Sequence, residues 1–471
     1  MEYGIWSLVP PLLAIILALV TKNVFVSLFV GILTGNLVLS GFSPLAGING
    51  GLYSIADAMT QGNTIIIGSV LITAAIIHLA EKSGGIQGFV NAVVKRRGLI
   101  KSKRGANLFT WLLGLVVFTS GTLSCMVTGS VSRPVNDALK VPHEKSAFIV
   151  HATSTPWCVL FPFSGWLAAM AGYLVSGGVP EEQSVGVLFQ SIFFNFYSIL
   201  AILLVLILAL TQKDFGPMAK AERRAAETGA LDDPAHLTEG RISDTSTIDS
   251  GVTPRASNLL VPIGVLIAVM FAALFITGGG NIMNGAGTQA LIWAVFTALL
   301  VVMSMCVAQR IFTVTQVIDE MFSGMKSMLP IAFVLLFGFT MGNVVKALDT
   351  GSYLSSLFQQ LLSPALLPAL TFLIGVLISF ATGTSMGTMA IMAVLALPMA
   401  YDMGCNIPLV AGAVFGGSIF GDHASPISDT TIMTCSTTGC DIIDHVKTQA
   451  PYVAFIGAMS FLLYIAAGFV L

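Results

Sequence analysis

Two aspartates and a histidine lie in a stretch of an apolar chain where a helix would be expected to cross lipid. The stretch F-G-D-H-A-S-P-I-S-D-T-T-I-M-T runs from Phe420 to Thr434 between two apolar segments. Ionisable side chains inside a bilayer are costly and usually mark an ion or substrate pathway. Because Pro426 lies between Asp422 and Asp429, the helix should break there. We expect one aspartate, first of all Asp429, to bind a cation or carry a proton. The alternative is that both aspartates only cap the ends of the broken helix.

Three further polar stretches interrupt apolar segments. T-S-G-T-L-S begins at Thr119, H-A-T-S-T-P at His151 and A-T-G-T-S-M-G-T at Ala381. Hydroxyls and unwound carbonyls suit a hard cation such as Na⁺, which takes oxygen ligands, whereas the N-termini of broken helices suit an anionic group. The residues expected to hold Na⁺ or a proton are Asp429, Asp422, Ser425, Ser428, Thr430, Thr384 and Ser385. Those expected to contact a substrate are Thr119, Ser120, Gly121, Thr122, Thr153, Ser154, Thr155, Thr382, Gly383, Thr388, His151 and His423.

Histidine is the side chain that could titrate near neutral pH in these stretches. His151 and His423 either take part in proton transfer or only bond to a neighbouring helix. His445 lies just after the two-aspartate stretch, in C-D-I-I-D-H-V-K. We expect that segment to be a solvated, salt-bridged loop, with a path for protons towards the site as the alternative.

The composition of the whole chain predicts its class. Of the 471 residues, 55% are hydrophobic and 9% are charged, whereas soluble proteins have about a quarter charged residues. Apolar runs long enough to span a bilayer recur along the chain, and they are continuous rather than alternating as in a β-barrel. The N-terminus M-E-Y-G-I-W lacks the basic region of a cleaved signal peptide, so we interpret the first apolar run as a retained span. We therefore expect an all-α polytopic membrane protein whose partners are the lipid bilayer and a small ion or solute, and not nucleic acid.

The apolar segments form two sets that follow the same order. Residues 1–211 contain the first set, residues 212–257 form a polar linker with a short surface helix at its start, and residues 258–471 contain the second set. F-T-S-G-T and F-A-T-G-T occupy the same place in each half, as do H-A-T-S-T-P and H-A-S-P. These matches indicate an internal repeat in which His151 corresponds to His423.

Basic residues predict that the two halves are inverted. Lys and Arg are concentrated in the 95–104 loop, which should be cytoplasmic, and are missing from the loops at 42–62, 177–185, 278–287 and 348–366. Basic residues also follow segment 108–131, so this segment should enter and leave on one side as a re-entrant hairpin that turns at residues 119–122. Segment 367–400 would be a second hairpin. We expect two inverted-topology repeats, each of about five spans plus a hairpin, with discontinuous helices at the midplane, as in secondary transporters. Both termini should lie outside and the 212–257 linker in the cytoplasm.

The stretch from Phe420 to Thr434, with the following G-C-D-I-I-D-H-V-K-T-Q-A-P-Y, resembles the signature of the NhaC-type Na⁺/H⁺ antiporter family. F-A-T-G-T-S-M-G-T, S-V-S-R-P-V-N-D and the T-S-T-P region are similar to it as well, so the resemblance covers essentially the whole chain. It implies a sodium-linked secondary transporter of the bacterial cytoplasmic membrane. By this resemblance, the polar site would consist of Asp422, His423, Ser425, Ser428, Asp429 and Thr430, with Thr382 to Thr388 opposite.

The family does not determine the substrate, because it includes malate/lactate exchangers and members assigned to amino-acid uptake. Many members have an acidic pair at the first hairpin, where this chain has T-S-G-T-L-S-C. Either Asp422 and Asp429 alone bind Na⁺ and a proton in turn, or the protein is not a pure ion exchanger and binds a carboxylate solute together with Na⁺. Related folds are often dimers, so we expect a homodimer.

Sequence analysis therefore favours a Na⁺/H⁺ antiporter that works by alternating access, with Na⁺ as coupling ion and no cofactor. The first alternative is Na⁺-coupled transport of a small amino acid or organic acid. The remote alternative is an ion channel, which would need a continuous wet pore. The chain lacks a P-loop, a nucleophile elbow and a zinc-binding helix motif, so we do not expect an enzyme.

Overall fold

The computed structural model describes residues 3–21, 23–94, 100–118, 120–161, 164–233, 252–281, 285–350, 353 and 363–471. These residues form helices and connections, with no β-strand among them. The helices of the first half are α1 Val9–Thr21, α2 Val24–Leu39, α3 Pro44–Asp57, α4 Gln61–Lys82, α5 Gly85–Val94, α6 Lys103–Val116, α7 Gly121–Ala138, α8 His143–Leu160, α9 Leu167–Ser176, α10 Glu181–Ile192 and α11 Phe196–Thr211.

The second half follows a linker helix and has a similar series of helices. They are α12 Gly216–Thr228 in the linker, then α13 Ser257–Thr277, α14 Gly287–Ala308, α15 Val314–Ser327, α16 Leu329–Ala347, α17 Leu367–Thr382, α18 Ser385–Asp402, α19 Ile407–Ala424, α20 Asp429–Thr438 and α21 Ile442–Val470.

Within the described ranges, eight helical segments are long and apolar enough to cross a membrane. The predicted class, an all-α multi-pass membrane protein, is therefore confirmed. The segments are Gln61–Lys82, Glu181–Thr228, Ser257–Thr277, Gly287–Ala308, Leu329–Ala347, Pro364–Thr382, Ser385–Asp402 and Ile442–Val470.

Both predicted hairpins appear as helix–turn–helix units. Thr110 of α6 and Asn136 of α7 exchange hydrogen bonds of 3.2 and 3.3 Å, so the chain reverses direction between these two helices. In the second unit only Gly383 and Thr384 separate α17 from α18. Gly383 has a φ of 66°, which glycine adopts without steric cost, and it ends α17. Whether the two units are re-entrant stays a prediction.

The two predicted helix breaks have different outcomes. The second half breaks as expected, because α19 ends at Ala424 and α20 begins at Asp429. Ser425 is extended, as the residue before a proline usually is. The break predicted within H-A-T-S-T-P is wrong, since α8 continues through Pro156 to Leu160. Packing overrides the preference of that proline, because nearly every residue of α8 is buried against neighbouring helices.

Helix lengths recur between the halves. Helices α7 and α18 have 18 residues each, α8 and α19 also have 18 each, and the following α9 and α20 have 10 each. Such equal lengths are what an internal repeat predicts. In this register His423 lies beside the end of α19, whereas His151 lies in the middle of α8. The predicted pairing of these two histidines and the inversion of the halves stay predictions.

Five helices from both halves surround a polar centre. Helices α7, α8, α19, α20 and α21 pack against one another there, and α11 closes one side. Glycines allow the closest approaches: a Cβ added at Gly129 of α7 would overlap Thr437 of α20. The linker helix α12 also packs on this group, through contacts with α8 and α21.

Candidate functional site

Asp422 is a buried carboxylate at the end of α19, with 1% of its surface exposed. The Ser428 hydroxyl donates to one carboxylate oxygen at 2.6 Å, and the Thr430 hydroxyl lies 3.2 Å from the other. The two hydroxyl oxygens are 2.8 Å apart. Because Ser428 and Thr430 come after the break, the chain folds back there and surrounds the carboxylate with oxygen atoms. Such a cluster of oxygens suits a hard cation.

Asp429 lies in a different environment, although it is the other aspartate of the stretch. It is exposed, and its Oδ2 accepts a hydrogen bond of 3.1 Å from the Thr122 hydroxyl. Asp429 is the first residue of α20, where a carboxylate is stabilised by the helix dipole. Thr122 lies in the first turn of α7. The pair therefore joins the N-terminal ends of α7 and α20.

Three buried histidines meet on one side of Asp422. His151 Nε2 lies 3.0 Å from the Thr430 hydroxyl, and its Nδ1 lies 3.1 Å from His445 Nε2. The His423 ring contacts the His151 ring edge to face, with a centroid distance of 4.6 Å. A hydrogen-bonded chain thus leads from His445 through His151 and Thr430 to the Asp422 carboxylate.

His423 has partners that sequence analysis did not identify. Its Nδ1 lies 2.8 Å from the Tyr197 hydroxyl of α11, and its carbonyl accepts a hydrogen bond of 2.9 Å from the Gln449 amide. The expectation that His445 belongs to a solvated loop is wrong, because it is fully buried in α21. His445, Gln449 and Tyr452 follow each other at helical spacing on one face of α21, and this spacing is the signal that could have identified them.

The buried face of α7 adds hydroxyls that were also missed. Among the described residues, the hydroxyl oxygens of Ser124 and Thr128 are buried and have no hydrogen-bond partner, and the same holds for the predicted Thr155 on α8. A Cβ at Gly121 would lie 3.0 Å from the Thr155 hydroxyl oxygen, so α7 and α8 are close at this level. Buried polar atoms without partners cost free energy and call for an explanation. These three oxygens are therefore candidate ligands for a bound ion or solute.

Other predicted hydroxyls bond to their own helices. Thr153 and Ser154 donate to the carbonyls of Ile149 and Val150 at 2.7 and 2.6 Å. Ser120 precedes α7 without a side-chain cap, and Thr119 lies outside the described residues. The 151–155 stretch therefore contributes His151 and Thr155 to the polar centre.

The second hairpin tip lies beside the break but does not bond to the carboxylates. A Cβ at Gly383 would lie 3.2 Å from the carbonyl oxygen of Ile427, so the tip touches the broken backbone. The Thr384 hydroxyl accepts from the Gly387 amide and caps α18. The Thr388 hydroxyl donates to the Thr384 carbonyl at 2.8 Å, the Thr382 hydroxyl donates to its own helix, and Ser385 is buried in the first turn of α18.

Ser425 organises the break. Its hydroxyl accepts from the Ile427 amide at 3.4 Å, and its carbonyl accepts from the Thr431 hydroxyl at 2.8 Å. Within the described part of the chain, no group of three or more His, Cys, Asp or Glu is arranged to hold a metal ion. The oxygens of Asp422, Ser428 and Thr430 are the predicted ligands that the structure brings within hydrogen-bond distance of one another.

Comparison with known proteins identifies the family. The family model described as the Na⁺/H⁺ antiporter family matches residues 157–469. An uncharacterized protein of Haemophilus influenzae is 31% identical over 99% of this chain and 91% of its own length. The malate-2H⁺/Na⁺-lactate antiporter of Bacillus subtilis is 34% identical over 19% of each chain. Among solved structures, the YdaH transporter of Alcanivorax borkumensis has a TM-score of 0.59 at 16% identity, covering 94% of this chain and 97% of that one, which shows a shared fold.

The family match includes α19, α20 and α21, which carry Asp422, Thr430 and His445. It confirms the predicted resemblance and indicates a transporter rather than an enzyme. This chain therefore belongs to the Na⁺/H⁺ antiporter family and is a multi-pass membrane transporter of the antiporter type.

Proposed function

We propose that this transporter exchanges Na⁺ for H⁺ across a bacterial cytoplasmic membrane and that Asp422 is the group that binds the two in turn. The supporting observation is a buried carboxylate with the hydroxyls of Ser428 and Thr430 on its two oxygens, at a helix break. A carboxylate can carry a proton or ligate a cation, and the two states exclude each other at one site. With Na⁺ bound, the two hydroxyls would turn their lone pairs to the ion. With a proton bound, the carboxyl O–H would donate to one of the hydroxyls, which would turn to accept, while the other would go on donating as seen here.

Asp429 takes a secondary role in this proposal. It is exposed and bonded to Thr122, so it lies at the N-terminal ends of α7 and α20 rather than in the buried centre. A carboxylate there would attract cations towards Asp422 and release them again. Burial thus favours Asp422 over Asp429 as the exchanging group, which reverses the order that we expected from the sequence.

The topology forms part of the same proposal. Alternating access would move the hairpins α6–α7 and α17–α18 relative to the remaining helices. The inverted halves, the external termini, the cytoplasmic 212–257 linker and a homodimer are proposed with it. Labelling of a cysteine introduced at 355–360 from the outside would support the inverted arrangement, whereas labelling from the cytoplasm alone would contradict it.

A second candidate function is Na⁺-coupled transport of a small carboxylate solute. The hydroxyls of Ser124, Thr128 and Thr155, which have no partner within the described part of the chain, support it, because they offer hydrogen bonds beyond those that one Na⁺ at Asp422 would use. The relative from Bacillus subtilis exchanges malate with protons for lactate with sodium, as its name states. Na⁺/H⁺ exchange remains the first candidate because the family match and the Asp422 site both point to it.

The test uses purified protein in proteoliposomes with a pH-sensitive dye inside. A Na⁺ gradient is applied without any other solute, and proton movement is followed for wild type, Asp422→Asn and the control Asp57→Asn. Asp57 is an exposed aspartate at the end of α3. Proton movement in wild type and the control that disappears in Asp422→Asn would support the proposal. Full activity of Asp422→Asn would contradict it. If a dicarboxylate added to the same vesicles is taken up with the Na⁺ gradient but without proton movement, the second candidate is favoured.

A further inference from the structure

The linker helix α12 takes part in buried ion pairs with the helices that carry the site. Lys145 of α8 is 1% exposed, and its Nζ lies 2.6 Å from Asp214 and 3.1 Å from Glu222 of α12. Lys103, the first residue of α6, also binds Glu222 at 2.9 Å. Glu222 therefore bridges the first hairpin and α8.

The two residues before Lys145 are held by the linker as well. Arg224 of α12 donates to both carboxylate oxygens of Glu144 at 2.9 Å, and Glu144 is almost completely buried. His143 lies between Asp232, at 2.7 Å, and Asp137 of α7, at 3.1 Å. Residues 214–232 thus supply a partner to each of the three consecutive residues that begin α8.

One aromatic layer separates these ion pairs from the site. The Tyr452 hydroxyl donates to Asp214 at 2.9 Å, and the Tyr452 ring stacks on Phe148 with a centroid distance of 4.9 Å. Phe148 in turn stacks on the His423 ring at 6.3 Å, and His423 contacts His151. The order from α12 inwards is therefore ion pairs, aromatic pair, histidines and Asp422.

The chemistry of this arrangement gives it two distinct states. When one partner of a buried ion pair leaves, the other charge must hydrate, because an unpaired charge in an apolar surrounding is strongly destabilised. Loss of α12 would therefore take Arg224 from Glu144 and Glu222 from Lys145, which would keep Asp214, and water would be drawn to the start of α8, directly over the aromatic layer. In one state α12 is docked and the start of α8 is dry, and in the other α12 is released and the start of α8 is hydrated. The two states differ by a set of contacts that form or break together, as in other conformational switches.

We propose that α12 is a gate of the transport pathway, which closes the route between α8 and α21 towards His423 and Asp422 when docked and opens it when released. The proposal rests on the proposed function in so far as the ion reaches Asp422 by this route. It assigns a transport role to a segment that the sequence presents only as a polar linker. Each transport cycle would break and remake the ion pairs of Glu222 and Arg224.

The test measures exposure of native cysteines beside the gate, so that it does not depend on transport. Cys435 and Cys440 are buried with Ala147 near the start of α8. Purified protein in detergent is treated with a polar maleimide, and the labelled cysteines are identified by mass spectrometry. The variants are Glu222→Gln, Arg224→Glu and the double variant Arg224→Glu with Glu144→Arg. The control is Lys220→Gln, which changes an exposed charge on the same helix.

We expect Glu222→Gln and Arg224→Glu to label at Cys435 or Cys440 at least about tenfold faster than wild type. Arg224→Glu removes the cation that binds the buried Glu144, and Glu222→Gln removes one of the two carboxylates beside the buried Lys145. The reversed pair in the double variant should restore slow labelling, and Lys220→Gln should not change it. Wild-type labelling rates in both single variants would overturn the gate. If the double variant fails to fold, Glu222→Gln against Lys220→Gln decides alone.

Transport assays of the same variants separate this proposal from the proposed function. A gate that stays open prevents alternating access, so Glu222→Gln should lose most of its coupled exchange while Lys220→Gln retains it. Increased labelling with unchanged transport would overturn the gate and leave Asp422 untouched. A wild type without Na⁺/H⁺ exchange would contradict the proposed function, whereas the labelling result would still decide whether α12 undocks.

Discussion

His151 Nε2 lies 3.0 Å from the Thr430 hydroxyl, which joins the middle of α8 to the first turn of α20. Thr430 in turn contacts the Asp422 carboxylate. A residue of the first half therefore completes the polar site of the second half. This contact links the proposed exchange of Na⁺ and H⁺ at Asp422 to the histidines behind it.

Replacing His151 tests whether this link supports the site. His151→Ala removes the hydrogen bonds of the His151 ring to Thr430 and His445, so we expect the free energy of unfolding to fall by about 1–3 kcal/mol. His151→Gln retains a hydrogen-bonding group and should lose less. Thermal unfolding in detergent measures both effects. Equal stability of wild type and His151→Ala would show that the two hydrogen bonds contribute little.

Asp429 and Thr122 provide a test of the role of the exposed N-terminal ends of α7 and α20. Asp429→Asn retains a hydrogen-bond acceptor for Thr122 but removes the charge that would attract cations. We expect a higher KM for Na⁺ with less than about a tenfold loss in the maximal rate, since exposed charges interact weakly through water. Na⁺-dependent proton movement in proteoliposomes measures both quantities. Complete loss of exchange would return Asp429 to the central role predicted from the sequence.

Gly129 tests the close packing of α7 against α20. A Cβ at this position would overlap Thr437, so Gly129→Ala should destabilise the protein by about 1–3 kcal/mol, as overpacking usually does. Gly68 of α4 is the matched control, because a Cβ there meets nothing within 4 Å. Gly68→Ala should be neutral or stabilise by up to about 1 kcal/mol through its helix propensity. Thermal unfolding compares the two, and equal effects would contradict the packing argument.

The ion pairs of His143 with Asp137 and Asp232 should make the docking of α12 depend on pH. His143 precedes the apolar part of α8. Burial alone would lower the pKa of its imidazole, but the hydrogen bonds to Asp137 and Asp232 outweigh burial and raise the pKa from 6.5 to about 9. A raised pKa means that the folded state binds the proton more tightly. The resulting stabilisation, about 3 kcal/mol, is fully present below pH 6.5 and is lost as the pH rises to about 9.

The difference in unfolding temperature between wild type and His143→Gln measures this effect. It should be largest at about pH 6 and should shrink steadily towards about pH 9.5. A difference that does not change with pH would show that His143 contributes packing rather than charge. Labelling of Cys440 at the two pH values would show whether α12 undocks at the same time.

Local chemistry made several parts of this protein predictable from its sequence. The apolar runs predict the membrane class because a helix that crosses lipid needs a continuous apolar segment. Pro426 and its serine neighbours predict the break in the second half, because a proline and hydroxyl caps act within a few residues. The same locality brings Asp422, Ser428 and Thr430 together, since they flank one turn of the chain.

Only the tertiary structure decided which of these groups are buried and what they touch. Asp422 and Asp429 look alike in the sequence, yet the packing of α7, α8 and α20 buries one and leaves the other exposed. Pro156 resembles Pro426, but α8 stays helical because it is packed on all sides. His445 joins the polar centre, and the linker helix α12 packs on the helices around it, through contacts between residues far apart in the chain. Local sequence rules do not encode such contacts, because burial depends on every helix that surrounds a residue.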